Sequence, residues 1–219
     1  MKGGRTALTA LLAVIVFTVI FGLAYPLAMT GIAQLAFPSE ANGSKLSANG
    51  RVVGSSLIAQ SFSRPLLDRH GKPVLNSEGE EVLVPDKSYF QPRPSQTSYS
   101  GDTSAFSNLG PNSVKEREAV REAIGNYIHL NKPYDKSLTK ADVPVDAITQ
   151  SASGVDPEIS QANARIQAHR VAVVRHLPLR TVDELISKHT VGRFLGVFGE
   201  PGVNVLQLNI ALGKEAPIR

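Results

Sequence analysis

The stretch that decides the organisation of this chain is TALTALLAVIVFTVIFGLAYPLAMTGIAQLAFPS, residues 6–39, which contains no Lys, Arg, Asp or Glu. It lies between Arg5 and Glu40. About 20 helical residues cross a hydrocarbon core of roughly 30 Å, so residues 7–27 alone are long enough to span a bilayer. We therefore predict a transmembrane anchor over residues 1–36 and a soluble domain over residues 37–219.

A cleaved signal peptide is the alternative, because it also begins with positive charge followed by an apolar run. The apolar part of a signal peptide is usually about 7–15 residues long, which is shorter than this stretch. Residues 33–36, with the sequence AQLA, also lack the A-x-A spacing of a cleavage site. Both observations favour an anchor that stays attached.

The charges that flank the stretch predict its orientation. Lys2 and Arg5 precede it, and the first charge after it is Glu40. Positively charged flanks remain cytoplasmic. We expect a single pass through the cell (inner) membrane, with the N-terminus in the cytoplasm and the soluble domain outside it.

The composition of the chain excludes several classes of function. Without Lys2 and Arg5 it has 21 basic and 19 acidic residues, a net charge of +2 that is too small and too mixed to predict nucleic-acid binding. The absence of Cys excludes disulfides, thiolate metal sites and a Cys nucleophile. The five histidines lack metal-site spacing, and neither a P-loop nor a G-x-S-x-G motif is present. We expect no catalytic residue, no metal site and no tightly bound cofactor.

Three helices are predicted from the residues that start them. The starts are Ser113 with Glu116, Asp156 with Pro157, and Thr181 with Glu184. The first and third pairs have the spacing of a capping box, and the second places an N-cap before a proline at the first helical position. We expect the third helix to end at His189.

Alternating or β-branched patterns predict a strand pair or a bent strand at residues 51–60 and single strands at residues 143–149 and 203–212. The last of these places Leu208 and Ile210 on a buried face. Residues 63–88 read as a hairpin, because two apolar pieces flank a turn that contains Gly. Helices and strands are interleaved, so the soluble part is predicted to be one mixed α/β (or α+β) domain without internal repeats.

A long polar loop is predicted at residues 89–110, which are rich in Ser, Thr, Gly, Pro and Asn. Loops longer than about 12–15 residues are usually functional or disordered. Four aromatic residues in the segment (Tyr89, Phe90, Tyr99 and Phe106) indicate an ordered loop.

Short motifs run in order over nearly the whole chain, and together they resemble the KdpC family, the C subunits of the Kdp potassium-transporting P-type ATPases of bacteria and archaea. The matching segments are GSSLIAQ (residues 54–60), YFQPRPS (89–95), SNLGP (107–111), VPVDAITQSASGVDP (143–157) and GEPGVNVLQLN (199–209). The family usually passes from the first motif to the second in a few residues. Residues 63–88 therefore resemble an insertion.

The resemblance implies a non-catalytic accessory subunit of an ATP-driven, high-affinity potassium uptake pump, needed for assembly and activity. Its implied partners are the channel-like potassium-translocating subunit, the ATP-hydrolysing subunit and the lipid bilayer. The family has also been described as a catalytic chaperone that raises the ATP affinity of the hydrolysing subunit. On that description ATP would bind in a ternary complex with that subunit, and the nucleotide contacts would be Gln60, Gln150, Ser151, Ser153 and Gly154.

The predicted orientation of the soluble domain conflicts with these nucleotide contacts, because ATP is cytoplasmic. A domain outside the cytoplasm would instead cover the channel-like subunit and stabilise the assembled state. The residues alone leave another class open, an anchored or secreted extracytoplasmic hydrolase or binding protein. Its site loop would be residues 89–110, with Asp102 or Ser107 in the reaction.

Overall fold

The structure of the chain is a computed structural model that describes residues 2–217. Met1, the first residue of the predicted anchor, and Ile218 and Arg219, the last two of the predicted soluble domain, lie outside the described residues. By its internal contacts the chain divides into two units, Met1–Lys45 and Leu46–Arg219.

The first unit is dominated by a long apolar helix. Its parts are α1 (Lys2–Phe17), a π-helical segment (Thr18–Ala24) and α2 (Tyr25–Ala36), followed by the short helix α3 (Pro38–Ala41). Pro26 accounts for the π-helical segment, because it has no N–H and its ring crowds the preceding turn. The backbone widens there, and the N–H of Tyr25 donates to the carbonyl of Ile20. Over Gly3–Ala36 the helix is long and apolar enough to cross a membrane.

The second unit begins with a β-hairpin of two strands, β1 (Lys45–Ala48) and β2 (Arg51–Ser55). Asn49 and Gly50 connect the strands with φ angles of 50° and 75°. Two successive positive φ angles give the tight turn whose twist matches that of a hairpin. The predicted strand over residues 51–60 is therefore confirmed only for β2, and the chain turns from Ser56 onward.

In residues 63–88, β3 (Ser63–Pro65) pairs antiparallel with β4 (Leu83–Pro85). Beyond the strands, three backbone hydrogen bonds close a ring: Leu66 N to Val82 O, Val74 N to Leu66 O, and Val82 N to Val74 O. The residues of this ring, Leu66, Val74 and Val82, are eight positions apart. One turn follows Leu66 and another follows Val74. In each turn one side-chain oxygen, that of Asp68 or that of Asn76, accepts two backbone N–H groups. The segment is thus a short eight-residue repeat, so the prediction of no internal repeat is wrong.

The core of the second unit lies between a small antiparallel sheet and the helices that pack on it. The sheet is ordered β5 (Glu158–Ser160), β7 (Gly202–Asn204) and β6 (Thr190–Val191), and the core helices are α5 (Gln161–Val174), α6 (Leu179–Lys188) and α7 (Val205–Glu215). A further helix, α4 (Val114–Asn131), packs against α5. Core residues include Phe90, Ile159, Val171, Val182, Val203 and Leu208. The mixed α/β fold is confirmed, in its α+β form because the strands are antiparallel.

The three predicted helix starts have different outcomes. The first is confirmed, since Ser113 Oγ accepts the N–H of Glu116 (3.4 Å) at the start of α4. The second is wrong: residues 158–160 pair with β7, and α5 begins at Gln161 with Ser160 as its N-cap. The third is three residues late, because the N-cap is Pro178 and α6 already begins at Leu179.

One predicted strand is wrong, and another is confirmed only at residues 203–204, which lie in β7. Residues 143–149 form turns around a short 3₁₀ segment, Val145–Ala147. Residues 205–212 belong to α7, whose N-cap Asn204 accepts the N–H of Gln207 (3.0 Å). Leu208 is fully buried as predicted, but Ile210 is only half-buried and lines a surface cavity.

Candidate functional site

Two loops of the soluble unit are joined by polar contacts, and we call them the loop platform: residues 91–106 and residues 149–156. Arg93 crosses from the first loop to the second. Its Nη1 forms an ion pair with Asp156 (2.9 Å), and its Nη2 donates to the carbonyl oxygen of Gln150 (3.4 Å). Both side chains of the pair are partly buried, so water screens the pair less than it screens one at the surface. The contact fixes the two loops relative to each other.

Gly154 brings the two loop backbones into close approach. Ser95 Oγ donates to its carbonyl oxygen (2.6 Å), and its φ angle is +74°. A Cβ atom at this position would lie 2.7 Å from Thr97 Oγ1 and 3.1 Å from the carbonyl oxygen of Ala105. Both the backbone angle and the lack of space therefore require glycine here.

The first loop is ordered internally as well. Ser95 Oγ accepts the N–H groups of Thr97 (3.2 Å) and Tyr99 (3.0 Å). The phenol of Tyr99 folds back and donates to the carbonyl oxygen of Arg93 (2.9 Å). Burial raises the pKa of Tyr99 to about 12, so this hydroxyl stays protonated and able to donate at neutral pH.

Four of the five predicted nucleotide contacts lie in the loop platform. One is Gly154, and the other three are Gln150, Ser151 and Ser153. Gln150 is exposed, and its Nε2 donates to Gln96 Oε1 on the other loop (3.0 Å). Ser151 is buried, and its N–H bonds the first loop. Ser153 is partly exposed and accepts the N–H of Val155 (3.2 Å). Each of these residues thus makes a contact that holds the loops in shape.

Gln60, the fifth predicted contact, faces a different place. It lines a cavity of about 590 Å³. The other lining residues are Ala48, Asn49, Val53, Phe62, Tyr89, Leu206, Asn209, Ile210, Gly213, Lys214 and Pro217. Gln60 Nε2 donates to the carbonyl oxygen of Val53 (2.7 Å), and Lys214 is the charged residue among those that line the cavity. The structure therefore groups Gln150, Ser151, Ser153 and Gly154 but places Gln60 at a separate cavity.

Side-chain amides hold the beginning of the first loop in the way that a neighbouring strand would. Asn209 of α7 accepts the N–H of Phe90 (2.9 Å) and donates to its carbonyl oxygen (3.0 Å). Gln167 of α5 makes the same pair of bonds with Gln91 (2.7 and 3.0 Å). Both amides are buried, so each satisfies backbone groups that would otherwise lack partners. The sequence signal was a polar residue on an otherwise apolar helix face, and the sequence analysis missed it.

Arg170 is a second buried anchor that the sequence analysis missed. It is fully buried on α5, and it donates to the carbonyl oxygens of Lys87 and Tyr89, to Asn131 Oδ1 and to Gln167 Oε1. All four acceptors are neutral, and burial lowers the pKa of the guanidinium to about 10. This side chain therefore links α4, α5 and the start of the first loop at the cost of burying a charge.

Residues 89–110, the predicted site loop of a hydrolase, offer no arrangement typical of that class of enzyme. Asp102 is exposed and accepts hydrogen bonds from the hydroxyls of Ser100 and Thr103, which lower its pKa and make it a weaker base. Ser107 Oγ accepts the N–H of Leu109 (3.5 Å). Within residues 2–217, no group of three or more His, Cys, Asp or Glu side chains could hold a metal ion.

Comparison with known proteins gives a consistent match. The family model described as "KdpC: K+-transporting ATPase, c chain" matches residues 7–214. The potassium-transporting ATPase KdpC subunit of Streptomyces avermitilis is 41% identical over 95% of this chain and 93% of its own length. The subunits of the same name from Streptomyces coelicolor and Mycobacterium tuberculosis are each 42% identical over 96% of this chain, and over 93% and 98% of their own lengths.

Proposed function

Because the chain belongs to the KdpC family, the c chains of K+-transporting ATPases, we propose that it is the non-catalytic accessory subunit of an ATP-driven, high-affinity potassium uptake pump. Family membership makes it a subunit of a potassium-transporting ATPase complex, and the one helix of membrane-spanning length among residues 2–217 anchors it.

The charge pattern of the anchor carries the proposal. Gly3–Ala36 is long enough to cross the bilayer with residues to spare, and the sequence places positive charge before it and Glu40 after it. Because positive flanks stay in the cytoplasm, the soluble unit lies outside the cell's inner membrane. There it is separated from cytoplasmic ATP and from the ATP-hydrolysing machinery.

The partner on the outer side is the channel-like subunit that carries potassium. Binding to the assembled pump stabilises that state by mass action, without any chemistry in the accessory subunit. The ordered platform supports this role, because its polar groups are occupied in holding loops rather than poised at a reacting centre. An effect of this subunit on the ATP affinity of the pump would then be transmitted through assembly.

Thiol labelling on intact cells tests the orientation, since the native chain contains no Cys. We would compare Ser137→Cys, in an exposed part of the soluble unit, with Gly3→Cys at the other end of the anchor. An impermeant maleimide should label the Ser137 variant in intact cells, and the Gly3 variant only after permeabilisation. The reverse pattern would place the soluble unit in the cytoplasm and remove the objection to the predicted nucleotide contacts, Gln60 and Gln150 among them.

Affinity purification from detergent-solubilised membranes tests the partner assignment. The tagged full-length chain should recover the potassium-translocating and ATP-hydrolysing subunits together, and deletion of its gene should abolish growth at low potassium. Recovery of the chain alone, with normal potassium uptake in the deletion strain, would contradict the proposal.

A further inference from the structure

An exposed apolar loop connects β6 and β7, and every residue from Val191 to Glu200 is exposed. We call residues 191–200 the apolar loop. Four large apolar side chains are 64–76% exposed: Phe194, Leu195, Val197 and Phe198. Each aromatic side chain can bury about 150–250 Å², so the loop presents on the order of 500 Å² of apolar surface. A patch of this size on a soluble domain usually marks an interaction site.

The apolar loop has a fixed shape despite its exposure. Phe194 and Phe198 exchange two backbone hydrogen bonds of 2.8 and 3.0 Å. At the base of the loop both carboxylate oxygens of Glu200 accept hydrogen bonds from Arg193 Nη2 (2.8 and 3.0 Å). A loop that is already ordered loses little conformational entropy on binding, which favours recognition of a protein surface.

Leu195, at the tip, has an unfavourable backbone angle. Its φ is +53°, and Gly196 follows with +77°. A left-handed conformation is uncommon and strained for a bulky residue. The side chain is 76% exposed, so burial within the described residues does not offset that strain. Strain of this kind is found at binding sites, where a contact with a partner compensates for it.

We propose that the apolar loop inserts into an uncharged apolar recess on the outer surface of the potassium-translocating subunit. The inference rests on the proposed function, which places the soluble unit beside that subunit. The two charges of the loop neutralise each other in one ion pair, so it has no excess positive charge with which to attract anionic lipid headgroups. It also has no Trp or Tyr, the residues typical of the membrane interface. The exposed area is more than half of what one side of a standard protein interface buries, about 800 Å².

Two loop variants and one control separate binding from folding. Leu195→Gly removes the apolar tip together with its backbone strain, and Phe194→Ser/Phe198→Ser removes both aromatic side chains. Val173→Ala, on α5, removes part of a comparably exposed apolar side chain (57%) outside the loop. Each tagged full-length variant would be purified from membranes that contain the pump. The recovered potassium-translocating subunit and the melting temperature of the variant chain would both be measured.

We expect Leu195→Gly to melt at or above the wild-type temperature, yet to recover severalfold less partner subunit. The double serine variant should reduce recovery by about tenfold or more, as expected when central aromatic contacts are lost. The Val173→Ala variant should recover the wild-type amount. Normal recovery by both loop variants would overturn the inference while leaving the proposed function intact. Failure of the wild-type chain to recover the subunit would instead refute the proposed function.

A probe on the loop distinguishes the partner from lipid or from a second copy of the chain. Val197→Cys would carry an environment-sensitive fluorophore in the full-length chain. A blue shift in the assembled pump, absent when the chain alone is reconstituted in vesicles of phosphatidylglycerol and phosphatidylcholine, would support the inference. The same shift in vesicles alone would show lipid insertion, and efficient disulfide trapping of unlabelled Val197→Cys as a homodimer would show self-association. Either result would overturn the inference.

Discussion

Substitution of Gly154 by Ala should destabilise the soluble unit by more than its backbone angle alone requires. The left-handed conformation, with φ at +74°, costs a non-glycine residue about 1–2 kcal/mol. The new Cβ would also meet Thr97 Oγ1 at 2.7 Å and the carbonyl oxygen of Ala105 at 3.1 Å. Thr97 is held by a hydrogen bond with Ser95, and the carbonyl group of Ala105 is part of the backbone, so moving either of them would reduce stability. Overpacking of this kind costs about 1–3 kcal/mol, which gives a total of about 2–5 kcal/mol.

Gly79 provides the matched control, because its φ is +82° and a Cβ there would have no atom within 4 Å. Gly79→Ala should therefore lose only the stability that the left-handed backbone angle costs, about 1–2 kcal/mol. In a domain of this size 1 kcal/mol lowers the melting temperature by roughly 2–4 °C, so the two variants should differ by about 2–12 °C. Thermal unfolding of the detergent-solubilised full-length chain, followed by circular dichroism, measures this difference.

A double variant identifies the contact that is responsible. Thr97→Ala removes the nearest atoms, so Gly154→Ala should cost less in that background than in the wild type, and the two changes should not be additive. If Gly154→Ala melts at the same temperature as Gly79→Ala, the close approach of the two loops is wrong. Additive effects of Thr97→Ala and Gly154→Ala would refute the assignment to Thr97.

Three further predictions concern single side chains. Leu208→Ala should lower the free energy of unfolding, measured by chemical denaturation, by about 2–5 kcal/mol, because Leu208 is fully buried. Ile210 is only half-buried, so Ile210→Ala should lower it clearly less. Equal losses would contradict the helical assignment of this segment. Arg170→Met should cost at least about 3 kcal/mol, because it removes four hydrogen bonds and leaves the Lys87 carbonyl oxygen and Asn131 Oδ1 with no other donor among the described residues. Arg165→Met, on the exposed face of the same helix, should melt like the wild type. Tyr99 has a pKa of about 12 in the fold against 10.0 as its ordinary value, so its stabilising contribution is complete below pH 10 and is lost as the pH rises toward 12. Tyr99→Phe should therefore flatten the decline of stability over that range, and an unchanged decline would show that Tyr99 is not its source.

The features that the sequence predicted correctly are those that depend on composition over long windows or on local capping. The long apolar helix of the first unit follows from a long run without charge, and neither partner residues nor tertiary contacts are needed to recognise it. The start of α4 follows from Ser113 and Glu116, which are neighbours in sequence. The Asn49-Gly50 hairpin turn was available by the same local reasoning, but the sequence analysis overlooked it.

The errors arose where one pattern fits two structures. In residues 203–212 large apolar residues occupy every second position from Leu206 to Leu212, which favours a strand. Val205, Leu208 and Leu212 are also spaced by three and four residues, and that spacing forms the buried face of α7. Asn204 as N-cap decides for the helix, because its side chain satisfies a backbone N–H that a strand would pair differently.

The platform was only partly predictable for a different reason. The motifs located the two loops, but their contacts join residues far apart in sequence, as Ser95 and Gly154 do. Buried polar residues such as Arg170 and Asn209 were also hidden, because a sequence shows that a residue is polar and not that it is buried. Only the tertiary structure shows that such residues hold a loop in place.

The structural uses of the motif residues change how experiments on them must be interpreted. A variant of Gly154 or Ser151 that impairs the pump does not by itself identify a nucleotide contact, because both residues hold the two loops together. Gln150 is the informative position, since it is exposed and its one described side-chain bond joins another exposed glutamine, Gln96. Gln150→Ala should leave the melting temperature within a few degrees, as exposed substitutions usually do. A loss of ATP affinity in that variant, with unchanged stability and unchanged subunit recovery, would be direct support for nucleotide contact and would contradict the placement of the soluble unit outside the cytoplasm.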